Sequence, residues 1–152
     1  MKKILFLILV SLIVTACQTN GSTNESTKVD ITEREEIPVY SQTAEDIVNM
    51  HGDITNLNRF FTFLENVEQG HKDKIRVVSY TEEGDPILHD LDFDGEVIES
   101  SNDTRRDNFG QRTIYTSTCK SIELEEKQER TDYTLAGCKP DVEDTMILVI
   151  WK

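Results

Sequence analysis

A chain of 152 residues with 16 Lys and Arg against 29 Asp and Glu carries a formal charge of −13. Phosphate-backbone binding rests on clustered cations, and past residue 16 the only adjacent basic pair is Arg105-Arg106, so nucleic acid is excluded as a ligand class. With 37% hydrophobic residues the length supports one modest domain and its appendages.

The first appendage is N-terminal. Lys2 and Lys3 precede an uncharged run from Ile4 to Thr15, followed by Ala16 and Cys17. Ile4 to Val14 is too short to cross a hydrocarbon core of about 30 Å, and Val14-Thr15-Ala16-Cys17 resembles the lipobox of a bacterial lipoprotein signal peptide. That resemblance implies cleavage before Cys17 and lipidation of its thiol. The mature chain would be held on the extracytoplasmic face of the cell membrane by diacylglyceryl and fatty-acyl (palmitate-type) chains, each buried CH₂ contributing ~0.8 kcal/mol. Loss of residues 1 to 16 removes Lys2 and Lys3 and moves the charge from −13 to −15. Residues 17 to 42 are expected as a lipidated tether: Gln18 to Lys28 is nearly all Thr, Asn, Ser, Gln and Gly, and Pro38 opposes a helix beyond it.

A single domain is expected over residues 43 to 152. Thr43 with Asp46 three residues on resembles a capping box, so Ala44 to Met50 is predicted as a short helix ended by Gly52. Leu57, Phe60, Phe63, Leu64 and Val67 repeat at helical spacing between Asn56 as N-cap and Gly70 as C-cap, which predicts a second helix whose aromatic stripe is core. The period then becomes that of strands: Ile75 to Thr81, Pro86 to Phe93 and Glu96 to Ser100, the last two joined by Asp94-Gly95 as a type I′ turn. After a loop from Ser101 to Gly110 come Thr118 to Leu124 and Thr131 to Ala136 as a hairpin, then Met146 to Trp151. The fold class expected is α+β, with two N-terminal helices on an antiparallel sheet of about five to six strands.

Cys17 is taken by the lipobox, leaving Cys119 and Cys138. Outside the cytoplasm no reducing pool protects thiols, and the hairpin places the two opposite one another, so a disulfide is expected; no CxxC or nearby histidine supports a metal or redox pair.

The string from Tyr80 to Gly95, with Asp-Leu-Asp-Phe-Asp-Gly at its end, resembles an uncharacterised family of small Gram-positive lipoproteins, domain of unknown function 4362. His51-Gly52, the Asn56 to Gly70 helix, Asp107 to Gly110 and the two cysteines fit the same resemblance. It implies a signal, a tether, one domain and no established activity.

Asp90, Asp92, Asp94 and Gly95 reproduce the first half of a calcium loop, but position twelve is Ser101, not a bidentate carboxylate. The competing reading is a hairpin with Asp90 and Asp92 on its solvent face while Ile87, His89, Leu91 and Phe93 point inward. His51, His71 and His89 lack any local metal-ligand spacing. No G-x-S-x-G, S-x-x-K or phosphate loop occurs, so no catalytic residue and no cofactor is assigned. Arg105, Arg106, Phe109 and Trp151 are of the residue types enriched at interfaces, and six apolar residues in a row from Met146 need cover on both faces or mark a binding patch. The expected function is a membrane-anchored, non-catalytic interaction module for an extracytoplasmic protein or small ligand. The alternative is an extracytoplasmic enzyme or calcium-binding protein using the acidic hairpin. A concave pocket joining His51 or His89 to carboxylates would favour the alternative.

Overall fold

A computed structural model describes residues 37 to 152. The expected signal peptide, Cys17 and the expected tether up to residue 36 lie outside the described residues. Nine strands and one helix follow in the order β1 (Ile47–Met50), β2 (Asp53–Thr55), α1 (Leu57–Gln69), β3 (Asp73–Tyr80), β4 (Pro86–Phe93), β5 (Ile98–Asp103), β6 (Ile114–Cys119), β7 (Ser121–Glu126), β8 (Arg130–Ala136) and β9 (Met146–Trp151). They form a six-stranded sheet, β2-β1-β3-β4-β5-β6, and a three-stranded sheet, β7-β8-β9. Neighbours are antiparallel except β1 and β3, which run parallel.

The expected pair of helices on one antiparallel sheet is therefore wrong: the described domain is mostly β, with a single helix and two sheets. The first predicted helix is the strand β1. Its capping-box hydrogen bond does form, Thr43 N–H donating to Asp46 Oδ2 at 2.8 Å, but it closes one turn and goes no further. A seven-residue helix is marginal by itself. Ile47 and Val48, β-branched and consecutive, instead bury opposite sides of a strand: Ile47 enters the main core, and Val48 joins Val78 and Leu88 on the other face under Tyr40 and Tyr80. Gly52 ends no helix. It forms the two-residue loop of the β1–β2 hairpin with His51, at φ 101° and 53°, the positive pair that a type I′ turn requires. The Asp94-Gly95 connection, expected to be type I′, is a four-residue loop from 94 to 97, with Asp94 Oδ1 accepting the N–H groups of Glu96 and Val97.

Helix α1 matches its periodicity. Phe60 and Phe63 are fully buried, and Gly70 at φ 71° closes the C-terminus with Gly70 N–H to Val67 O and His71 N–H to Asn66 O. Asn56 sits at the N-cap but does not cap through its side chain; its Nδ2 donates to Ala44 O at 3.1 Å, tying the helix start to the segment before β1. Across the helix's buried face lie Ile75, Val77, Leu91 and Ile98 from the large sheet and Tyr133, Leu135 and Leu148 from the small one, in one continuous core.

The two sheets share a strand path. β6 pairs with β5 and β7 pairs with β8, with only Lys120 between them. Beside this corner Gly137 at φ 65° lets the Lys120 side chain lie against its backbone, where an added Cβ would approach Lys120 Cδ to 3.1 Å. Next to it Cys119 and Cys138 are joined by the expected disulfide, their Cα atoms 3.9 Å apart. Flanking them, Thr118 and Lys139 exchange backbone hydrogen bonds of 2.9 Å. The bridge therefore joins β6 of the large sheet to the chain leaving β8 of the small one, rather than two strands of one hairpin.

Cover on both faces of β9 is not what its apolar run requires. A bulge against Tyr133 and Thr134 places Ile147 and Leu148 both in the core, at 4% and 1% exposure, before alternation resumes.

Candidate functional site

The core-facing side of β4, β5 and β6 changes from apolar to polar along its length. Leu91, Ile98 and Cys119 occupy the apolar end. Two residues on, the same face carries His89, Ser100 and Ser117, then Asn102 and Tyr115, because strand side chains of one face recur with period two. The segment 141 to 144, leading into β9, stands over this polar end, and together they enclose a cavity of about 490 Å³. Thr104 and Gln111 close one end, and Tyr115 donates its hydroxyl hydrogen bond to Gln111 Oε1.

His89 is 7% exposed, and its Nε2 lies 2.8 Å from Ser100 Oγ, itself 7% exposed. Burial pushes the imidazole pKa down to about 4, against an upward pull from Asp144 and then Asp90, so the ring is neutral near pH 7. Ser117 Oγ lies 3.4 Å from Cys119 Sγ. Asn102 Oδ1 is buried without a hydrogen-bond partner among the described residues. Asp144 Oδ1 accepts from Met146 N–H at 3.0 Å, and Thr145 O accepts from Leu135 N–H at 2.8 Å, which together hold the wall segment onto β8 and β9.

The acidic hairpin has the arrangement of the competing reading: Leu91 and Phe93 are in the core and His89 is buried, while the carboxylates point away. Arg76 pairs bidentately with Asp90, at 2.6 and 2.8 Å, Lys74 Nζ lies 3.2 Å from Asp92, and Asp94 accepts backbone N–H groups. Among the described residues no group of three or more His, Cys, Asp or Glu side chains is arranged to hold a metal ion.

Arg105 and Arg106 both grip Asp103, Arg105 through Nε and Nη2 at 2.9 and 3.0 Å and Arg106 through Nη1 at 2.8 Å; Arg106 Nε also donates to Pro38 O. The Arg105 and Arg106 hydrogen bonds hold the Asp103 carboxyl well below its usual range despite its burial. Phe109 stands 79% exposed in the following loop. Trp151 is half-exposed elsewhere, beside Gly52 and under the Arg130 guanidinium, whose carbon is 5.3 Å from the ring centroid. Arg105 and Arg106 are thus both engaged on Asp103, while Phe109 and Trp151 lie in separate settings.

His51 and His71 are exposed, and of the three histidines His89 alone lines the cavity. Ser100, Asn102, Tyr115, Ser117, Asp141 and Asp144 form no motif in the chain. For Ser100, Asn102, Tyr115 and Ser117 the only signal is polar residues recurring at every second place on strands that elsewhere alternate apolar inward, and Asp141 and Asp144, in the segment before β9, carry none. A second hollow, of about 550 Å³ between the end of α1 and β7, is floored by Leu64, Val67, Phe93 and Ile122.

These features define a small, disulfide-stapled β domain of two sheets and one helix with a polar cavity between sheet and loop. The chain belongs to the family described as Domain of unknown function (DUF4362), whose model matches residues 44–134, more than half of its length. No curated protein and no solved structure matches it. No helix among the described residues is long and apolar enough to cross a membrane.

Proposed function

We propose that this chain is a lipoprotein of the Gram-positive type, anchored through Cys17 on the extracytoplasmic face of the cell membrane, whose β domain is a non-catalytic binding module for a small polar ligand. The cavity beneath residues 141 to 144 carries this reading, since a concave site with a few convergent polar groups is the usual form of a ligand pocket. The lipobox and the Cys119–Cys138 disulfide support the location, because disulfides persist in oxidising compartments. The test is membrane fractionation with labelled fatty acid. Wild type should be labelled and sediment with membranes, and Cys17→Ala should be unlabelled and released while keeping its fold. A labelled, membrane-bound Cys17→Ala protein would sink the anchor.

One observation favours a second reading, a hydrolase: His89 and Ser100 are at hydrogen-bond distance in a cavity that also holds carboxylates, which is the kind of pocket that would favour an enzyme. Against it, Ser100 lies mid-strand between β4 and β6, so its backbone serves the sheet ladder, whereas a serine nucleophile needs nearby free N–H groups to hold an oxyanion. No hydrogen bond joins Asp144 to His89. A fluorophosphonate probe decides it: covalent labelling at Ser100 that is lost in His89→Gln would establish the hydrolase.

A further inference from the structure

Several carboxylates that are buried or half-buried elsewhere in the domain have cationic partners, Asp73 with Arg59, Asp90 with Arg76, Asp103 with Arg105 and Arg106, Asp132 with Lys127 and Arg130, while Asp46 and Asp85 accept neutral hydrogen bonds from Tyr40 and Asn108. The carboxylates at the cavity are exposed and have no cationic partner among the described residues. Asp141, Glu143 and Asp144 line it, none forms an ion pair, and no Lys or Arg lines it. The floor opposite is uncharged but rich in hydrogen-bonding groups, with His89 and Ser100 nine-tenths buried and the Asn102 oxygen unpartnered. An unpartnered buried acceptor costs about 1–3 kcal/mol, which a ligand donor can recover.

We infer that the cavity takes a small amine bearing several hydroxyl groups, of amino-sugar size, with its ammonium at the Asp141–Asp144 wall and its hydroxyls on the His89, Ser100 and Asn102 floor. This rests on the binding-module reading and specifies its ligand class. A hydroxylated cation satisfies both halves of the site, because the wall offers only acceptors and the floor offers both donors and acceptors. A neutral polyol would leave the wall carboxylates unmatched, and an anion would meet three like charges.

The probes are glucosamine, glucose and N-acetylglucosamine, titrated calorimetrically into the full-length chain in detergent near neutral pH. Glucosamine should bind saturably and at least tenfold more tightly than the other two, which lack the ammonium. Asp144→Asn, a change at an exposed position, should remove that preference with unchanged melting, and Asn102→Ser should weaken glucosamine several-fold. Equal binding of all three sugars would overturn the cation assignment while leaving the cavity a binding site. No saturable binding by glucosamine, or binding indifferent to Asp144→Asn, would overturn the ligand class. Fluorophosphonate labelling of Ser100 would instead defeat the non-catalytic reading, whichever sugar binds.

Discussion

The Phe60 ring stands edge-on to Tyr133, centroid to centroid 5.0 Å and planes at 90°. This contact joins the one helix to the middle strand of the small sheet, so the three-stranded sheet is held on α1 as well as through its shared strand. Aromatic pairs in this geometry contribute about 0.5–1.5 kcal/mol beyond their burial. Phe60→Ala should cost about 3–5 kcal/mol, the usual range for emptying a buried aromatic site. Urea unfolding measures it, and a loss below about 1 kcal/mol would mean that the small sheet does not depend on the helix.

The disulfide should stabilise the domain by about 3 kcal/mol in the chain-entropy account, because it closes a loop across a sequence separation of 19. Protein taken from its native compartment should give linked Cys119 and Cys138 peptides on non-reducing mass mapping. The double serine variant should unfold at lower urea. Two freely alkylated thiols would contradict the bridge.

Stability should fall between pH 6.5 and 4. His89 ordinarily titrates near 6.5, and burial lowers this to about 4 in the folded chain. The unfolded chain therefore binds a proton that the folded one refuses. Stability is full above 6.5 and is lost as pH drops toward 4, by up to about 3 kcal/mol. Asp73, Asp103 and Asp132 lie below their ordinary 3.8, and their contributions are lost only under that value, so the two windows separate. Urea midpoints across this range should flatten in His89→Gln. An unchanged slope would assign the dependence to other groups.

Calcium should bind no more tightly than millimolar. Asp90 and Asp92 are matched by Arg76 and Lys74, and Asp94 by backbone N–H groups, so an ion would have to displace all of these. A micromolar affinity by titration, abolished in Asp92→Ala, would restore the acidic-hairpin alternative.

Phe109→Ser should leave the melting temperature unchanged, since the ring is exposed and surface changes commonly stay within about 0.5 kcal/mol. Crosslinking of wild type and variant in intact membranes then asks whether the ring meets a protein partner. Destabilisation would return Phe109 to a structural role.

Elements with one dominant local signal could be read before folding. Helix α1 was one: five apolar residues at helical spacing between Asn56 and Gly70 leave little alternative. Strands β3, β4 and β8 were others. Residues 44 to 50 misled because Thr43 and Asp46 make the hydrogen bond of a helix start, while the deciding interaction, parallel pairing with β3, lies 30 residues away, as in Ile47 with Val77. The type I′ turn fell at His51-Gly52 because the expected Asp-Gly pair was claimed by a side-chain-capped loop. His89 was legible as a buried histidine. Its cavity was not, because the wall from 141 to 144 meets β4 to β6 only after the chain has turned between sheets.

That turn, at Lys120, has a consequence for how the molecule comes apart. A backbone that leaves one sheet and enters the other within a single residue, beside a covalent staple and under a common apolar core, leaves neither sheet a boundary along which to melt alone. Heating should give one calorimetric transition, with matching van't Hoff and calorimetric enthalpies. Amide hydrogens on β4 and β8 should exchange through the same global opening.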